Sequence, residues 1–77
     1  MTLSEAIKTT RQKAFLSQEA FATEISVSLA SVNRWEVGKS IPNLTAMKAI
    51  KEFCEANHLS YQVIEDAWFE AQKGNNR

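Results

Sequence analysis

Seventy-seven residues suffice for one domain, near the lower limit at which a hydrophobic core alone holds a fold. Apolar residues make up 44% of the chain, which argues against disorder, and the single cysteine, Cys54, excludes an internal disulfide and suits a reducing cytoplasm. Nine basic side chains balance nine acidic ones, so no strong general attraction draws the chain to phosphate or to a membrane surface.

The charges are not evenly spread. Residues 1–40 hold Lys8, Arg11, Lys13, Arg34 and Lys39 against Glu5, Glu19, Glu24 and Glu36, while residues 41–77 are marginally acidic. The N-terminus, TLSEAIKTTRQKAF, lacks the apolar stretch of a signal peptide, and no segment approaches the run of about 18 apolar residues that a membrane span needs. With only two glycines, one proline and no β-branched runs, the composition predicts an all-α fold.

The first helix is expected to start after Thr2, because Thr2 and Glu5 have the spacing of a capping box. Leu3, Ala6, Ile7, Thr10 and Ala14 then recur on one face. A second helix is predicted over 18–24, with Ser17 as N-cap and Leu16 stapled against Phe21. The third, over 29–36, repeats this arrangement with Ser28 as cap and Val27 against Val32. Only Ile25 to Ser28 lie between the two, a length that fits a tight helix-turn-helix corner.

Gly38 breaks the third helix, and a loop through Pro42 leads to a fourth, capped by Asn43 and running to about residue 56. Its expected buried stripe is Leu44, Met47, Ile50, Phe53 and Cys54. The fifth is predicted from Tyr61 to Gln72, capped by Ser60 with Leu59 stapled against Ile64, and with Tyr61, Ile64, Ala67, Trp68 and Ala71 facing inward. Residues 1–73 read as one domain and 74–77 as a polar tail.

The third helix organises the rest. At about 100° per residue, Val32, Trp35 and Glu36 share one side, and Leu29, Ala30, Asn33, Arg34 and Val37 share the other. The first side anchors in a core. The second combines aliphatic groups with an amide and a guanidinium, which suits a DNA major groove: Asn pairs bidentately with adenine, Arg with guanine, and methyl groups touch thymine.

The order of these residues resembles the lambda-repressor-like, Cro-type helix-turn-helix family, also called the XRE family. The resemblance rests on Leu16-Ser17-Gln18-Glu19, Phe21-Ala22, Val27-Ser28, Val32, Arg34-Trp35-Glu36, Gly38-Lys39 and Ile41-Pro42-Asn43-Leu44, and covers residues 3 to 60. It implies a compact five-helix domain that binds operator DNA, usually as a two-fold dimer. By the same resemblance Gln18 touches a phosphate and braces the third helix. Leu29, Ala30, Asn33 and Arg34 meet base edges and groove walls, with Ser28 and Ser31 beside them, and Lys39, Ser40 and Asn43 contact backbone phosphates. Arg11 and Glu36 match a pair that forms a structural salt bridge in family members. Phe15 and Ser26 depart from the pattern, standing where glycines are common, and so does Thr10, where leucine is common.

Other readings of single residues stay open. Arg34 either reads guanine, clamps a phosphate, or is simply solvated, and Leu29 is either a methyl contact or an ordinary exposed leucine. Cys54 and His58 have no second ligand set at zinc spacing, so no metal or cofactor is expected, and no nucleophile–base arrangement marks an enzyme. Phe69, with Trp68 or Val63 beside it, is the candidate dimer contact, since a large apolar group on a small domain needs cover.

The reading that results is a sequence-specific DNA-binding regulator of repressor type, a homodimer on double-stranded operator DNA. Its rival is an antitoxin-like or adaptor module whose main partner is another protein, motivated by the neutral charge and the spare aromatics of the fifth helix.

Overall fold

A computed structural model describes residues 1–75, which form five α-helices: α1 (Leu3–Lys13), α2 (Gln18–Glu24), α3 (Leu29–Glu36), α4 (Leu44–Ala56) and α5 (Gln62–Asn75). The first four begin at the residues whose side chains predicted them. Thr2, Ser17, Ser28 and Asn43 each accept a hydrogen bond from the backbone N–H three residues on, at 3.2, 3.0, 3.1 and 2.8 Å. At Thr2 the box closes, with the Thr2 N–H donating to Glu5 Oε1 at 2.9 Å. Each cap satisfies an amide that the helix itself leaves unpaired.

All four of these helices also end alike. The residue after the C-cap turns into the left-handed region: Phe15 at φ 59°, Ser26 at 59°, Gly38 at 81° and His58 at 56°. Behind each, the next amide reaches back to the carbonyl five residues earlier: Leu16 to Arg11, Val27 to Ala22, Lys39 to Arg34 and Leu59 to Cys54, at 2.8–3.3 Å. This is the Schellman closure, normally the territory of glycine. Only one of the four positions holds it, so Phe15, Ser26 and His58 carry backbone strain.

Leu16 and Val27 follow these closures, and both lean on the core while preceding the next N-cap. One apolar residue thus ends one helix and begins another, which is why the corners are so short.

Three expectations about α4 and α5 need correction. Leu44 is exposed, and Ala46 takes its place in the buried stripe with Met47, Ile50, Phe53 and Cys54. On a helix Leu44 lies roughly 120° from the centre of that stripe, so its i, i+3 spacing to Met47 misleads. In α5 the first intrahelical bond runs from the Glu65 N–H to the Tyr61 carbonyl, which makes Tyr61 rather than Ser60 the cap residue. Leu59 closes α4 as Leu16 and Val27 close α1 and α2, but here two residues rather than one separate the closure from the next helix. At its other end α5 continues to Asn75, past its expected end at Gln72 and into the first two residues of the expected tail, whose last two, 76 and 77, lie outside the described residues.

The core lies where α1 packs on both α3 and α5, and α2 packs on α3. Ile7, Phe21, Val32, Ile50, Cys54 and Ile64 are fully enclosed, and Phe21 meets Phe53 edge to face with centroids 5.1 Å apart. Trp68 belongs to this core. Its indole N–H donates to the Pro42 carbonyl at 2.8 Å, tying α5 to the loop that follows α3. Trp68 therefore does not offer a dimer surface; of the two aromatics, Phe69 is the exposed one, edge-on to Trp68 at 5.2 Å.

Candidate nucleic-acid interface

The corner between α2 and α3 is built from Ile25 to Ser28. Ile25 is buried, Ser26 makes the left-handed turn, Val27 packs inward and Ser28 caps α3. α3 then divides as its sequence predicts. Val32 and Trp35 are buried, and the Glu36 carboxylate is almost sealed, with 3% of its side chain exposed. Leu29, Ala30, Asn33, Arg34 and Val37 face solvent.

Glu36 is held in place by Arg11. Nε donates to Oε2 at 2.7 Å and Nη2 to Oε1 at 2.9 Å, a two-pronged pairing, while Nη1 donates to the Leu16 carbonyl at 2.8 Å. Arg11 thereby fastens α1 to α3 and to the corner that precedes α2. Burial pushes the Glu36 carboxyl up, but hydrogen bonds from Arg11 and Gln18, with the charges of Arg11 and Lys8, outweigh it and hold it below the ordinary value. The same carboxylate raises the Arg11 guanidinium against its own burial.

Gln18 reaches the site from the first turn of α2. Its amide nitrogen donates to Glu36 Oε1 at 3.1 Å, and its oxygen accepts from the Asn33 amide at 3.5 Å. Both ends of Gln18 are therefore engaged inside the protein. The two serines are engaged as well: Ser28 Oγ accepts the Ser31 N–H and lies 2.9 Å from Ser31 Oγ. Asn43 spends its carbonyl on the α4 cap, leaving its NH2 in solvent, and Lys39 and Ser40 are exposed on the loop.

An open groove between the end of α2, α3 and α4 brings Ser31, Arg34, Ser40 and Asn43 together with Thr45 and Lys48. The last two were not anticipated. Both lie on the polar side of α4, and nothing local to them signals that the fold brings α4 beside Arg34. The carboxylates of Glu65, Asp66 and Glu70 sit apart from this on α5, where Gln62 donates to Asp66 at 2.9 Å.

Cys54 is enclosed in the core, and burial pushes its thiol up to about 11, which keeps it protonated and inert at neutral pH. Among the described residues no three His, Cys, Asp or Glu side chains gather as a metal site would require. No described helix is long and apolar enough to cross a membrane.

The chain matches the helix-turn-helix family profile over residues 7–62, well over half its length. It is also 34% identical over 53 residues to the HTH-type transcriptional activator BcrR of Enterococcus faecalis, an alignment that takes in 69% of this chain but 26% of that protein. The chain thus spans about a quarter of the length of that relative. No solved structure matches significantly. With the α2–turn–α3 corner, the buried Trp35 and the Arg11–Glu36 pair all in place, the chain belongs to the helix-turn-helix family of the lambda-repressor-like, XRE type, a family of DNA-binding domains.

Proposed function

We propose that this chain is the DNA-reading part of a transcription regulator, and that it inserts α3 into the major groove of a specific operator. One observation carries the reading: Asn33 and Arg34 stand uncovered on the face of α3 opposite Val32 and Trp35, with Leu29 and Ala30 beside them. That face offers an amide, a guanidinium and aliphatic groups to base edges. Lys39, Ser40 and the free NH2 of Asn43 flank it, together with Lys48, as partners for phosphate.

A neutral chain with few cations at this face binds modestly as a monomer, so two protomers on a palindromic site are proposed, with their α3 helices about 34 Å apart. Phe69 and Val63, both about half exposed on α5, supply the apolar contact between protomers. A dimer covering a promoter would repress by occlusion in the cytoplasm. BcrR is named an activator, and in this proposal the placement of the operator relative to the promoter decides the sign.

The experiment is selection of bound sequences from random duplex DNA at two salt concentrations. A symmetric consensus whose affinity falls with salt is the expected result; recovery of no consensus at low salt overturns the reading. The competing reading, a protein-interaction module, draws on the same exposed Phe69 and requires a partner that covers it while DNA goes unbound.

A further inference from the structure

We propose that the groove between α3 and α4 binds an amphiphilic organic anion, and that this occupant competes with DNA for Arg34. The competition rests on the DNA-reading proposal; the binding of the anion does not.

The groove is large for so small a domain, about 950 Å³, at the upper end of the roughly 300–1,000 Å³ of small-molecule sites. It stays open because α4 lines it with Ala46, Ala49 and Ala56, where longer side chains would fill the space. Along α4 the lining runs from Thr45 to Ala56, which at about 1.5 Å per residue is roughly 16 Å.

Charge is ordered along that length. Ser40 and Asn43 stand just before α4, and the Arg34 carbonyl accepts the Lys39 N–H at 2.9 Å, which puts Arg34 at the same end as Lys48. Among the described residues the ion pairs are Arg11–Glu36 and Lys73–Glu70, so no carboxylate of the chain neutralises Arg34 or Lys48. Val27, Ile41 and Ala49 give half-buried apolar walls, over a floor of Trp35 and Phe53. Glu52 follows one turn beyond Lys48, and Glu24 closes α2, whose Phe21 packs on Phe53.

This order selects the occupant. Two free cations call for an anionic head, and the apolar walls beyond them call for a hydrocarbon body. The carboxylates of Glu24 and Glu52 repel further negative charge, which keeps a run of phosphates or an acidic peptide from following the groove. A monoanion with an aliphatic or aromatic body meets all three conditions. Arg34 cannot serve a base edge and this head group together, so each ligand lowers the other's affinity.

The test follows backbone amides by two-dimensional NMR as octanoate is added, beside acetate (the head alone) and 1-octanol (the body alone). Octanoate is expected to shift amides along 45–56 and to bind on the order of tenfold more tightly than either. Lys48→Ala should weaken it by about two- to fivefold, and Ala49→Leu, which fills the groove, should abolish binding. Should Ala49→Leu fail to fold, Lys48→Ala, at an exposed position, decides. In a second arm octanoate is expected to displace a selected, labelled duplex at concentrations where acetate does not, and Ala49→Leu to hold the duplex regardless.

Octanoate that binds no better than acetate is an ion effect, and octanoate that binds no better than octanol is apolar adsorption; either overturns the site. So do shifts confined to Val63 and Phe69, or undiminished binding by folded Lys48→Ala. Octanoate that fills the groove while the duplex stays bound overturns the competition. A wild type that selects no duplex sinks the DNA-reading proposal instead, and the NMR titration still decides the groove.

Discussion

The Arg11 guanidinium donates twice to the Glu36 carboxylate, at 2.7 and 2.9 Å, from a helix 25 residues away in sequence. Their side chains are 11% and 3% exposed. Removing one partner leaves the other desolvated and unpaired, which costs about 3 kcal/mol or more. Arg11→Ala and Glu36→Ala are therefore expected to lower the urea midpoint sharply, and the double variant to cost less than their sum. The pair also has a pH signature. The folded Glu36 carboxyl titrates below its ordinary 4.5, so its contribution is complete above that value and is lost as pH falls through the lowered folded value. Thermal unfolding across the acid range is expected to show the gap between wild type and Glu36→Gln closing as pH drops; a gap constant with pH counts against this linkage.

The left-handed residues after α1, α2 and α4 are places where the fold tolerates strain. Phe15 is the clearest, at φ 59° and 95% exposed, so its ring gives nothing back in packing. Phe15→Gly is expected to stabilise by about 0.5–1 kcal/mol, a rise of roughly 2–8 °C in Tm for a domain of this size. Ser26→Gly and His58→Gly should do the same at independent corners, and the gains should add. Gly38→Ala, where φ is 81°, should move Tm the other way.

Arg34 and Lys39 are predicted to differ in kind. If Arg34 meets a base edge, Arg34→Ala costs about 1–3 kcal/mol and relaxes preference at one base pair. Lys39→Ala should weaken all sequences alike and make the slope of log affinity against log salt shallower by about 0.9. Titration of a selected duplex at several salt concentrations separates the two; equal effects on both readouts would reject these assignments.

Phe69 and Trp68 are neighbours in sequence with opposite prospects. Phe69→Ser should weaken self-association, read by analytical ultracentrifugation, and leave Tm almost unmoved, because the ring is more than half exposed. Trp68→Phe should lower Tm by removing the hydrogen bond to the Pro42 carbonyl, with no change in association beyond what unfolding causes. A folded Phe69→Ser variant that self-associates as the wild type does would refute the proposed protomer contact.

The amino-acid sequence by itself determined the parts that depend on near neighbours. Thr2, Ser17, Ser28 and Asn43 mark helix starts because a side-chain oxygen and the amide three residues on are near neighbours along the chain. The two faces of α3 follow from helical geometry and the contrast between Trp35 and Arg34. Ser26 in the left-handed turn was legible from its place in the helix-turn-helix resemblance. What only the tertiary structure decided depends on groups far apart in the chain. The inward place of Trp68 was legible from its stripe, but its hydrogen bond to the Pro42 carbonyl was not, because Pro42 lies 26 residues away. Tyr61 rather than Ser60 starts α5, one residue later than the pattern of the earlier corners. Gln18 points inward because α1 delivers Arg11 to Glu36 and the carboxylate then claims its amide, and Lys48 joins Arg34 because α3 and α4 line one groove. Local periodicity records which side of a helix is apolar. Which partner meets that side is set by packing, where the desolvation of one buried carboxylate orders four residues from three helices.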